Sequence, residues 1–180
     1  AMGVSLTPQI ASCLYTGIAT DSGCFKYSNT TARTHRIAAE LIEAGADYAA
    51  INRALFDTKS KARVAIEKQV LDTLSFAENG QIAWVCITQK MLRETGAMET
   101  ELDGLAALPR MIEGVEVGIT LREQQDGSYK VSIRTAQKAD ASAICAEFGG
   151  GGHLRAAGCR FTCTYQEAVE RLLSAAKRTL

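Results

Sequence analysis

The segment Phe148-Gly149-Gly150-Gly151-Gly152-His153-Leu154-Arg155-Ala156-Ala157-Gly158 gathers the residue types from which an anion site is made. Each ordered glycine costs roughly 0.5–1 kcal/mol relative to alanine. A run of four is therefore kept where a backbone passes close to something or needs positive φ repeatedly. An imidazole and a guanidinium follow at once. The spacing predicts a glycine turn feeding a short helix, with free N–H groups and the positive end of the helix dipole aimed outward. Such donors, beside His153 and Arg155, suit a phosphate or a carboxylate. A flexible surface loop with a helix-capping histidine is the competing reading of the same residues. A second candidate is Asp21 in Thr20-Asp21-Ser22-Gly23, either a metal ligand or a turn residue. The turn is favoured, because Asp, Ser and Gly are ordinary turn formers.

The elements that must position these groups follow from periodicity and caps. Thr7-Pro8 starts a helix that would turn Ile10, Cys13 and Leu14 inward. Ile37, Ala38, Leu41 and Ile42 make a second helix closed by Gly45. Asp47 caps a short helix through Ile51 and Leu55. From Lys59 to about Phe76 one stripe of Ala62, Ala65, Ile66, Val70 and Leu74 reads as a connector helix between two units. The second half reads as α/β. Residues 82–87 form a continuous apolar run, as in a strand covered on both faces. Thr88 caps a helix ending at Gly96, and a further short helix covers about 102–108. Val115, Val117, Ile119 and Leu121 alternate, as do Tyr129, Val131 and Ile133. A three-residue loop with Gly127 left-handed pairs Leu121 with Val131 and keeps both apolar faces together. Ser132 and Arg134 then share the opposite face. Asp140 caps a helix carrying Ile144, Cys145 and Phe148 into the glycine run. Residues 159–163 are a strand, and Thr164 with Glu167 boxes the start of the last helix.

Composition bounds the function. The 180 residues fit one domain or two small ones. Apolar residues make up 47% and only two are proline, so the chain folds. Twenty acidic and 20 basic residues give zero formal charge, which argues against coating nucleic acid through bulk charge and leaves room for a local basic pocket. No run of about 18 apolar residues and no signal peptide is present, so a cytoplasmic protein without membrane attachment is expected. None of the six cysteines forms a Cys-x-x-Cys pair and only two histidines accompany them, which disfavours zinc and suits reduced, buried thiols. Ala1-Met2 reads as an expression scar.

Leu14 to Thr31 resembles the fourth metal motif of the DHH phosphoesterases. Ser132-Ile133-Arg134-Thr135 and Gly149 to Gly158 resemble the substrate-binding motif of the DHHA1 domain that follows it. Both occur in the right order with a connecting helix between them, and the match is best to the bifunctional oligoribonuclease and pAp phosphatase (nanoRNase) group. The resemblance implies a helical remnant of a DHH domain over 1–57, a connector helix over 58–76 and a mixed-sheet α/β DHHA1 domain over 77–180. It also implies manganese-dependent hydrolysis of phosphoesters in short RNA, cyclic-dinucleotide breakdown products or pAp. Asp21 matches a metal-ligand aspartate. Arg134, Thr135, Gly150, Gly151, Gly152 and His153 match substrate contacts, as does Lys26, which stands where relatives often have arginine. Thr135 stands where serine is usual. Asp103 stands where glutamate is usual and is given no role.

The family's Asp-His-His triplet and other aspartate motifs would lie N-terminal to these residues. The resemblance therefore implies the C-terminal portion of such an enzyme, its N-terminal DHH half being a partner. Counting ligands agrees. Two manganese ions need several carboxylates and imidazoles, whereas Asp21 stands alone and His35 has no assigned role. By itself this portion is expected to be inactive. Its partners would be a nucleotide or short single-stranded RNA or DNA, and uncovered surface on the DHH remnant would favour a homodimer or disorder. A non-catalytic nucleotide-binding module and an inert structural fragment are the alternatives.

Overall fold

The computed structural model describes residues 5–102 and 104–180. Ala1-Met2, read as an expression scar, and Asp103 lie outside the described residues. The chain divides into two compact units, 1–59 and 60–180.

The first unit is helical. Helix α1 (Pro8–Asp21) starts with the Thr7 hydroxyl accepting from the Ile10 N–H and proline at its first position. Helix α2 (Ala32–Glu43) is boxed by Thr31 and Thr34. Helix α3 (Tyr48–Asn52) is capped by Asp47 and runs on as a π turn through Asp57. The expected inward face of α1 needs correcting. Ala11, Tyr15 and Ala19 are buried against Ala38 and Leu41, while Ile10, Leu14 and Cys13 are exposed. The interface stripe is Ala11, Tyr15 and Ala19, in which the two alanines let the helices approach and Tyr15 fills the space between them.

The second unit is built on a six-stranded mixed sheet. The strands are β1 (Ser75–Ala77), β2 (Ile82–Ile87), β3 (Val117–Glu123), β4 (Tyr129–Thr135), β5 (Gly151–His153) and β6 (Ala156–Phe161), in the order β1-β2-β3-β4-β6-β5. Only β2 and β3 run parallel. A parallel pair needs a crossover, and helix α5 (Gln89–Thr95) with three 3₁₀ turns provides it. These turns replace the helix expected over 102–108, since Gly104 at φ 83° and Pro109 interrupt any longer run.

Register assigns the two faces. Ile119, Leu121, Val131, Ile133, Cys159 and Phe161 face helices α6 (Ala141–Ala146) and α7 (Tyr165–Lys177) in the main core. On the other face Val85 and Ile87 pack with Ile66 and Val70 of helix α4 (Lys61–Leu71). The stripe read as a connector thus belongs to the second unit's core. Leu121 pairs with Val131 as the alternation requires. The loop closes through the Gln124 N–H to the Ser128 carbonyl at 2.7 Å, with Gly127 at φ 77°.

Candidate functional site

The glycine run does not feed a helix. It leaves one. Gly149 takes φ 70° after α6, its N–H reaching the Ala146 carbonyl, while the Gly150 N–H reaches the Cys145 carbonyl. That pair of bonds is a Schellman closure. The chain then continues as β5, turns at Leu154-Arg155 and returns as β6. Helix-dipole donors are therefore absent from this loop. β5 is the last strand of the sheet, and at its outer edge the Ser142 hydroxyl donates to the Gly152 carbonyl at 3.2 Å.

The glycines have separate reasons. A Cβ on Gly150 would meet the Gly158 carbonyl at 2.3 Å and the Cys159 Cβ at 2.5 Å. One on Gly152 would meet the Ala156 carbonyl at 2.5 Å and the Ala157 Cα at 2.6 Å. Both let β5 lie flat against β6. A Cβ on Gly151 would meet nothing within 4 Å, so that position faces open space.

Strand register brings Arg134 and His153 together. Arg134 pairs with Ala156, and Ala156 pairs with His153. In the next row Ser132 pairs with Gly158, and Gly158 with Gly151. Both rows lie on the face away from the α6/α7 core. The floor between Arg134 and His153 therefore carries one methyl and two glycines. Strand spacing sets Arg134 and His153 about 10 Å apart at their Cα atoms. Adjoining this floor, a cleft of about 250 Å³ is lined by Thr120, Arg122, Lys130, Ser132, Arg134 and Glu99. The Arg134 guanidinium donates to the Ile133 carbonyl at 3.0 Å, and no acidic side chain among the described residues pairs with it. Two donors flanking a bare backbone floor can take a phosphate and the sugar that carries it.

Thr135 is not part of this floor. It lies on the opposite face, buried, with its hydroxyl donating to the Leu154 carbonyl at 3.3 Å, so it holds the β5–β6 turn. Arg155, counted among the anion-binding groups, is likewise committed: its guanidinium donates to the Ala139 and Gln137 carbonyls. Glu116 completes this brace by accepting from the N–H groups of Gln137, Lys138 and Ala139 at 2.9, 2.6 and 2.9 Å. Burial alone would raise its carboxyl. The three hydrogen bonds and the Arg155 charge outweigh that and hold it below the usual range. Arg122 and Lys130 line the cleft and escaped sequence reading, although β4 parity groups Lys130 with Ser132 and Arg134, and the hairpin register adds Arg122.

Asp21 and Lys26 belong to the first unit and are exposed. Asp21 ends α1, where its Oδ2 accepts from the Asn29 amide at 3.1 Å, beside a hollow of about 240 Å³ shared with Thr31 and Arg33. His35 stacks on Phe25 with ring centroids 5.0 Å apart. Among the described residues no three His, Cys, Asp or Glu side chains group so as to hold a metal ion. Thiolate ligands are disfavoured at two of the buried cysteines. Burial, helped by Glu123, pushes Cys86 up to about 11, and a thiol hydrogen bond with Cys145, reinforced by burial, pushes Cys159 up. The donor set of the described residues therefore does not fit a two-manganese centre.

The chain is 36% identical over 181 residues to the bifunctional oligoribonuclease and PAP phosphatase NrnA of Thermus thermophilus, covering 99% of this chain and 53% of that protein. It is 32% identical over 155 residues to the probable bifunctional oligoribonuclease and PAP phosphatase NrnA of Streptococcus mutans, covering 86% and 49%. The chain thus spans about half the length of these curated relatives. Its fold is similar to that of an exopolyphosphatase-related protein from Bacteroides fragilis, with a TM-score of 0.85 and 29% identity, over 96% of this chain and 51% of that one. The DHHA1 domain matches residues 79–180, more than half of the sequence and the whole of the Arg134–glycine-loop face, and the chain belongs to the DHHA1 family.

Proposed function

We propose that this chain is the nucleotide-binding portion of a phosphoesterase of the oligoribonuclease and PAP phosphatase kind. The observation that carries the proposal is the row Arg134–Ala156–His153, two polar side chains across a floor too small to obstruct a ligand. Arg134 would grip a phosphate oxygen, His153 would meet the ligand from the far side, and Gly151 would let the sugar approach the backbone. Ser132 adds a hydroxyl at the cleft. Short RNA, pAp and short single-stranded DNA share the phosphate and sugar that this face would recognise, so it would hold the nucleotide and not cleave it.

Hydrolysis in the intact enzyme would use manganese held largely by groups outside these 180 residues. Asp21 would be this chain's contribution to the metal, and Lys26 a weaker phosphate contact nearby in sequence. The ligand count supports this division, since one exposed carboxylate cannot hold two ions.

Calorimetric titration of the chain with pAp and with a dinucleotide tests the proposal. Saturable binding is expected, weakened about tenfold or more in Arg134→Ala and His153→Ala, as loss of a charge-assisted hydrogen bond predicts. Absence of binding at millimolar ligand, or variants that bind as well as the parent, would refute it.

A further inference from the structure

The cleft continues past Arg134 along β3 and β4. Four residues before Arg134, about 13 Å along the strand, Lys130 stands directly opposite Arg122. Like charges placed directly opposite across a strand pair are destabilising, so this pairing calls for a compensating anion. Lys130 is exposed and has no ion-pair partner among the described residues. Arg122 is mostly buried, and its Nε has no hydrogen-bond partner. Among the described residues its ion-pair partner is the Glu99 carboxylate, which is 70% exposed on a 3₁₀ turn at the cleft rim. Arg160 continues the same row on β6, but Asp126 and Ser128 already satisfy it. Between the two cation positions lies a middle row of Thr120, Ser132 and Gly158, polar and uncharged.

We infer that Lys130 and Arg122 form a second anion subsite, which takes a further backbone phosphate of an oligonucleotide whose first phosphate sits at Arg134. In the free chain the Glu99 carboxylate occupies the guanidinium that this phosphate would claim. A ligand with one phosphate cannot engage both ends of the cleft, whereas a chain of several nucleotides can. The cleft would thereby favour oligonucleotides over mononucleotides. The inference rests on the nucleotide-binding role given to Arg134 above.

The probes are 5′-AMP and a triadenylate with a 5′-phosphate, titrated into the chain over a series of salt concentrations. The triadenylate is expected to bind at least tenfold tighter than AMP. Lys130→Ala, a substitution at an exposed position, should remove most of that advantage, weakening triadenylate binding far more than AMP binding. It should also reduce the salt slope by about 0.7, the share of one neutralised phosphate on a single strand. Lys130→Arg should keep the advantage, and Glu99→Gln should increase it. AMP binding with a Lys130→Ala effect that is nil, or equal for both probes, would overturn the subsite and leave the nucleotide-binding role standing. Binding of neither probe would overturn both.

Discussion

Arg134 and His153 stand in one register row of the sheet with only the methyl of Ala156 between them. Neither side chain is near the other in sequence. The β4–β6 pairing and the β5–β6 hairpin bring them to the same face. The gap between them is therefore a property of the strand registers, and it can be filled without touching either polar group.

Ala156→Leu should fill it. Position 156 is half-buried on the cleft face, so the larger side chain projects onto the floor instead of into the core. Nucleotide affinity is expected to fall by at least tenfold while thermal unfolding stays within a few degrees of the parent. Unchanged affinity in calorimetry would mean that the ligand does not cross this row.

Within the glycine run, alanine scanning should separate packing from access. Gly150→Ala and Gly152→Ala place a Cβ against backbone of β6 and should each destabilise the fold by about 1–3 kcal/mol, the usual cost of overpacking. Gly151→Ala points into open space. It should leave the denaturant midpoint almost unchanged and weaken nucleotide binding. Equal loss of stability in all three variants would contradict this assignment.

Thr135→Val removes the hydroxyl that reaches the Leu154 carbonyl. A cost of about 1 kcal/mol in stability is expected, with nucleotide affinity retained, because the side chain faces the core side. A loss of affinity at unchanged stability would restore Thr135 as a ligand contact.

Glu116 gives the brace behind the β5–β6 turn a pH signature. Its folded carboxyl titrates below its unfolded value. Its contribution is therefore complete above the ordinary carboxylate pKa of about 4.3 and is lost as pH falls through the lower folded value. Glu116→Ala leaves three N–H groups short of an acceptor and should cost about 2 kcal/mol at neutral pH. Chemical denaturation between pH 7 and pH 3 should show a smaller acid-induced loss in Glu116→Ala than in the parent. Parallel pH profiles would show that the carboxylate contributes nothing.

Much of this arrangement is legible in the sequence, because it depends on local rules. Period-2 alternation with Gly127 fixes the Leu121–Val131 register. The caps at Thr7, Asp47, Thr88, Asp140 and Thr164 stand where the hydroxyl and carboxylate residues place them. Parity alone sets Thr135 opposite Arg134, so the motif resemblance that grouped them obscured a signal already present. The glycine run follows no such local rule. Glycine carries neither helical nor strand periodicity, and the residues that follow it favour a helix locally. What makes them a hairpin is β4, a strand some twenty residues earlier, to which β6 pairs. The fate of Arg155 is equally non-local, being set by carbonyls of the 137–139 segment. On α1 hydrophobicity alone misplaces the inward face, because Ala11, Tyr15 and Ala19, and not Ile10 and Leu14, pack in the core.

The most direct test of the account is amide and side-chain NMR of the labelled chain during titration with 5′-AMP. The account predicts progressive shifts confined to Gly151, His153, Ser132 and the Arg134 guanidinium, with the α6/α7 core unmoved. Shifts that avoid this face, or a spectrum unchanged at saturating ligand, would contradict it.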